Sequence, residues 1–178
     1  MNGPRREAAM KRSPKGIALI TGLLFLIIVT LLGVALMRNY GLQGRMAGNF
    51  REKGRSFESA QAALQYAEWW LSQGNVPTAL SCSSLVSSAT VCSNAISNPT
   101  TLPWTVGVNY TPSGMSTSGG GSGFSTNPQF YIQYLGVNAV NGGNVYRITS
   151  VGYGGNAQAA TVLQSTYVVA SSFTNRGR

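Results

Sequence analysis

Residues 17–37 read IALITGLLFLIIVTLLGVALM, 21 positions without a charge and with Thr21 and Thr30 as the only polar side chains. Coiled as an α-helix, the stretch rises about 1.5 Å per residue, roughly 31 Å in all, which matches the hydrocarbon core of a bilayer. A helix at the edge of a soluble core needs one apolar stripe, whereas this one is apolar on every side. It reads as a transmembrane helix. A cleaved secretory signal is the competing reading, with an apolar core of about 7–15 residues that ends at a small-residue site. Gly33-Val34-Ala35 imitates such a site, but the run is longer and continues into a further helical pattern.

Charge flanks this run on both sides. Residues 1–16 hold Arg5, Arg6, Lys11, Arg12 and Lys15 against Glu7, and residues 38–58 hold Arg38, Arg45, Arg51, Lys53 and Arg55 against Glu52 and Glu58. Between Glu68 and Arg147 nothing is charged. The net charge of +9 over 178 residues therefore lies in bands beside an apolar segment. Nucleic-acid binding would need bases clustered on the folded domain, so no nucleic-acid partner is expected. The Lys and Arg counts favour a cytoplasmic N-terminus by a small margin. Residues 69–178 are rich in Ser, Thr, Asn, Gly and Tyr and hold both cysteines, a composition suited to an exported, oxidising compartment.

The chain contains no Asp and no His. A Ser-His-Asp triad, a His-containing zinc site, an EF-hand loop and a His general base all lack their residues. Glu52, Glu58 and Glu68 fall on one expected helix, with no facing carboxylate for paired acid–base work. No catalytic residue, cofactor or metal site is expected, and the chain does not read as an enzyme.

Beyond Arg38 the pattern becomes amphipathic. Met46, Phe50, Phe57, Ala60, Leu64, Ala67 and Leu71 recur at steps of four and three, with Gln43 and Lys53 in the remaining slots. This period predicts that the helix continues over about 43–72 with one stripe packed on the following domain. Trp69-Trp70 falls at the bottom of that core, and Gln73-Gly74-Asn75 before Val76-Pro77 reads as the helix stop. Gly41, Gly44, Gly48 and Gly54 each weaken the helix by up to ~1 kcal/mol relative to Ala. Strands are expected at 102–110, Gln129–Val137, Asn144–Tyr153 and 157–169, rich in Val, Ile, Thr and Tyr. Asn141-Gly142-Gly143 and Gly154-Gly155-Asn156 read as turns that join the last three strands into an antiparallel meander. Residues 111–128 (TPSGMSTSGGGSGFSTNP) are low-complexity and read as a flexible loop; the glycines at 119–123 lack the Lys-Ser/Thr and strand–turn–helix frame of a phosphate cradle. Cys82 and Cys92 match neither CxxC spacing nor a metal-ligand set, so a structural disulfide is expected. Closing 11 residues contributes roughly 2.5–3 kcal/mol on the chain-entropy model.

Lys15-Gly16 ahead of an uninterrupted apolar helix resembles the class III signal sequence of type IV pilins. The stretches Leu31-Leu32-Gly33-Val34, Leu42-Gln43-Gly44-Arg45-Met46-Ala47-Gly48-Asn49 and Phe57-Glu58-Ser59-Ala60-Gln61-Ala62-Ala63-Leu64 resemble the N-terminal region of PilX-type minor pilins. Tyr146-Arg147-Ile148-Thr149-Ser150 and Val162-Leu163-Gln164-Ser165-Thr166-Tyr167 resemble that family's closing strands. The resemblance implies an α+β, pilin-like fold: a long N-terminal α-helix, half membrane-spanning and half amphipathic, packed on a small antiparallel β-sheet. Four parts are expected: a basic leader 1–16, a transmembrane helix 17–37, an amphipathic continuation 38–75, and an exported β-rich domain 76–178.

The same resemblance implies cleavage by a prepilin peptidase after Gly16, with Ile17 as the new N-terminus. Most pilins carry Glu at the fifth mature position, where the carboxylate neutralises a neighbour's N-terminal amine; here that position is Thr21. A first residue other than the usual Phe leaves N-methylation of Ile17 open. The implied function is a minor pilin that primes a type IV pilus or sits at its tip, supporting motility and adhesion. Expected partners are other minor pilins, the major pilin, the prepilin peptidase, the inner membrane and a tip adhesin. The implied location is a single pass in the inner membrane with the C-terminal domain periplasmic, and then the extracellular pilus. Two alternatives stand beside it: a type II secretion pseudopilin lacking the fifth-position Glu, whose larger inserted domain 178 residues cannot hold, and a membrane-anchored adhesin or binding module.

Overall fold

The computed structural model describes residues 15–75, 77–117, 123–139 and 142–170; most of the expected leader, residues 118–122 of the low-complexity stretch and Asn141 lie outside them. Among the described residues one helix, α1 (Lys15–Ser72), comes first, and the chain divides into two compact units at Met46 and Ala47. In the first unit every described residue is helical, and the large apolar side chains of 17–37 are 46–76% exposed. α1 is long and apolar enough to cross a membrane.

In the second unit α1 runs to Ser72 and stops one residue before the Gln73-Gly74-Asn75 signal. Gly74 adopts φ +79°, a left-handed conformation that costs glycine little. Its N–H donates to the Leu71 carbonyl at 3.2 Å, while the Asn75 side chain donates to the Trp70 carbonyl at 2.9 Å, so carbonyls of the last turn find partners.

Among the described residues six strands follow: β1 (Leu85–Val86), β2 (Val91–Cys92), β3 (Gly107–Asn109), β4 (Gln129–Val137), β5 (Asn144–Tyr153) and β6 (Ala160–Val169). They form one sheet in the order β1-β3-β4-β5-β6, with β2 paired to β4 beside β3. β4, β5 and β6 are the expected antiparallel meander. The sheet as a whole is mixed, because β1 pairs with β3 and β2 with β4 in parallel. A bulge between Tyr134 and Gly136 leaves Leu135 without a register partner on β5, and Gly136 takes φ +115° there.

The strand expected over 102–110 shortens to Gly107–Asn109. Pro103 has no N–H for a ladder, and Trp104 is instead buried as a core side chain, its indole N–H donating to the Pro99 carbonyl at 2.8 Å. β6 starts at Ala160 and not at 157, because Asn156–Ala159 is consumed by the turn: the Ala159 N–H donates to the Asn156 side chain at 2.8 Å.

The sheet is covered on both faces. Phe130, Ile132, Tyr146 and Ile148 pack with Val91 and Val108 against Ala63, Ala67 and Leu71 of the helix. On the other face Cys92, Trp104, Tyr131, Val151 and Tyr153 form a second buried cluster. The helix face that packs coincides with the predicted stripe at Ala60, Leu64, Ala67 and Leu71 but departs from it at Phe50 and Phe57. It is made of small residues, Ser56, Ser59, Ala60, Ala63 and Ala67, ending in Leu71, whereas Phe50 and Phe57 are 74% and 47% exposed. Trp70 packs against the core, but Trp69 is 55% exposed. The reason is proximity: a Cβ on Gly152 of β5 would lie 2.5 Å from the Ser56 carbonyl oxygen and closer still to the Ala60 nitrogen. Backbone meets backbone here, and only small side chains fit between.

Burial raises the phenol pKa of Tyr110, Tyr131, Tyr146 and Tyr153 above the ordinary tyrosine value, by desolvation of the charged form. An acid whose folded pKa is raised contributes stability below its unfolded pKa and loses it as pH climbs through the folded value. With no Asp or His and both cysteines bonded, no described side chain titrates at its ordinary value between about pH 6 and 9. Thermal unfolding should accordingly be flat across that range and fall above about pH 10, as the unfolded tyrosines ionise. A midpoint that rises on the alkaline side would contradict the burial of these phenols.

Candidate functional site

Gly16 and Ile17 lie in the first turn of α1, both exposed, and a Cβ on Gly16 would meet nothing within 4 Å. Four N–H groups at a helix start have no partner within the helix, and terminal turns open with almost no free-energy cost. Glycine weakens that turn by ~1 kcal/mol more. The junction is thus open on its surface.

One turn along, the Thr21 hydroxyl reaches back to the carbonyls of Ile17 at 3.0 Å and Ala18 at 3.1 Å. Thr30 repeats the device on Ile27 at 2.8 Å. Both polar side chains of 17–37 are therefore satisfied by their own helix, which suits a medium without water. Thr21 presents no charge. It cannot neutralise an ammonium, and its one proton is already shared between two carbonyls.

The second unit carries the cysteines. Cys82 and Cys92 are disulfide-bonded, with Cα atoms 5.5 Å apart. Cys92 is buried beside Trp104 and Tyr131, and the Asn94 side chain bridges to both the N–H and the carbonyl of Cys82, at 2.8 and 2.9 Å. The Tyr131 hydroxyl donates to the Asn94 carbonyl at 2.8 Å. The disulfide thus pins the segment before β3 over one sheet face. Gly16, Ile17 and Thr21 belong to the first unit and Cys82 and Cys92 to the second.

Two models of known families match this chain, PilX N-terminal over residues 15–65 and the type IV pilus assembly protein PilX C-terminal family over residues 88–169. The chain belongs to the PilX family. No curated protein sequence and no solved structure matches it at a significant level. Family membership makes this PilX-family chain a pilin of type IV pilus assembly and points to a structural, non-enzymatic subunit.

The residues that hold the second unit together were not legible as a site. Glu52 pairs with Arg55 at 3.3 Å and accepts from the Gly155 N–H, Arg55 donates to the Gly123 carbonyl, and Lys53 donates to the Ala160 carbonyl at 2.7 Å. Ser56 and Thr161 share a hydrogen bond of 2.6 Å, and the Ser165 hydroxyl donates to Glu68 at 2.8 Å. The band of charge after the apolar run, expected to mark a membrane flank, also ties the PilX helix to β6 and its preceding turn. Partners roughly a hundred residues away leave no trace in local spacing.

Proposed function

We propose that this PilX-family chain is a minor pilin that primes assembly of a type IV pilus or sits at its tip. Residues 1–16 are its leader, removed by prepilin peptidase after Gly16, and residues 17–37 are its membrane anchor. The domain from 76 onward is periplasmic before assembly and outside the cell afterwards. Other minor pilins and the major pilin are its filament partners.

The observation that carries this reading is the self-bonded Thr21 hydroxyl at the fifth mature position. In a filament shaft each N-terminal amine sits in an apolar core, and an ammonium buried without a counter-charge is costly. A subunit that offers no carboxylate is disfavoured wherever neighbours surround it on all sides. At an end, one set of neighbours is missing and the apolar helix can still dock. The protein should therefore be scarce in pili while its loss sharply reduces their number. Thr21→Glu should spread it along the shaft without abolishing assembly. Immunogold mapping and subunit counts per filament check this; even labelling of wild-type pili at an abundance near the major subunit would rule out the tip role.

A further inference from the structure

Of the three glutamates among the described residues, Glu52 and Glu68 are bonded within the second unit. Glu58 is exposed and has no hydrogen-bond or ion-pair partner among the described residues. It stands at a groove of about 240 Å³ between the helix and the segment after β3, lined by Ser59, Ala62, Pro112, Met115 and Phe124. Ser59 is 4% exposed, yet its hydroxyl has no partner. Apolar walls and an unpaired carboxylate together describe the complement of a long aliphatic chain that ends in a cation. The chain's own Arg55 does not supply it: its guanidinium pairs with Glu52 and lies 4.9 Å from the Phe124 ring centroid.

We propose that this groove receives one cationic side chain, an arginine or lysine carried by the adjacent subunit of the pilus. Its aliphatic stem lies along Ala62, Pro112 and Met115, and its charged head meets the Glu58 carboxylate. The source of the cation rests on the pilin reading; the chemistry of the groove does not.

The test uses the full-length protein in detergent micelles, labelled with ¹³C at the methionine methyls. N-acetyl-arginine amide is the probe, and N-acetyl-citrulline amide, of nearly the same shape but uncharged, is its control. The arginine probe should shift the Met115 methyl saturably, the citrulline probe should bind at least tenfold more weakly, and Glu58→Gln should remove the difference while leaving the other methionine signals in place. Equal shifts with both probes, or none at Met115, would overturn the cation site. In cells, Glu58→Gln should mature normally yet appear at least tenfold less in sheared pili. Undiminished recovery, with the titration positive, would overturn the neighbouring subunit as the source. The titration needs no pilus, so its failure and that of the pilin reading are distinguishable.

Discussion

Replacing Gly152 by alanine is expected to destabilise the second unit by ~3–4 kcal/mol, the upper end of what added volume costs in a packed interface. The added methyl would sit 2.7 Å from the Ala60 Cα and 2.5 Å from the Ser56 carbonyl oxygen, far inside van der Waals contact, so the helix would have to move away from β5. Moving it stretches the Ser56–Thr161 and Lys53–Ala160 hydrogen bonds and opens the contact through Ala63 and Ala67. A loss of that size is a large share of a typical stability of about 5–15 kcal/mol. The unfolding midpoint in detergent should fall by about 10 °C or more, and Gly152→Val should prevent native docking altogether. Gly54→Ala is the contrast: Gly54 is exposed on the same helix with nothing within 4 Å of a new methyl. It should be neutral or stabilising by up to ~1 kcal/mol. Equal losses from the two changes would mean that the helix is not seated on Gly152.

The second large effect concerns processing. Gly16→Glu should leave the full-length precursor in the membrane, with little or no mature protein in pili. A peptidase must hold the backbone around the cut bond in an extended form, and at Gly16 both steric access and weak helicity favour this. Glutamate fills the open space and strengthens the first turn, where an acidic side chain also interacts favourably with the helix dipole. Gly16→Ala, which adds one methyl in open space, should retain most processing. Normal maturation of Gly16→Glu, read as the mass of the membrane-bound form, would contradict cleavage at this junction.

How much of this was legible depended on how local the cause was. β4 and β5 stand at their expected bounds because each combines β-branched and aromatic residues with turn residues at both ends. The length of α1 was legible from the apolar run and the 3.6-residue period. Its packed face was legible only in part: Ala60, Leu64, Ala67 and Leu71 pack as the period requires. Ser56, Ser59 and Ala63 carry weak hydrophobic signal and fall outside that stripe, and their burial follows from the close approach of Gly152 on a strand some ninety residues later. Phe50 and Phe57 dominated the pattern and turn out to be exposed. β1 and β2 are two residues each, too short for alternation to register, and they pair in parallel with β3 and β4 once the disulfide and Leu80 draw the segment onto the sheet. Of the site, Thr21 was legible as a departure from the family's pattern. Glu58 was only a charge on a helix until the fold brought Pro112 and Met115 beside it.

The central claim, that this PilX-family chain is matured as a pilin and incorporated into pili, is tested most directly by N-terminal sequencing of the protein recovered from sheared pili. The expected sequence begins at Ile17, reading Ile17-Ala18-Leu19-Ile20-Thr21. A start near Leu36, from protein found only in a soluble periplasmic fraction, would contradict it and leave the apolar helix as a cleaved secretory signal.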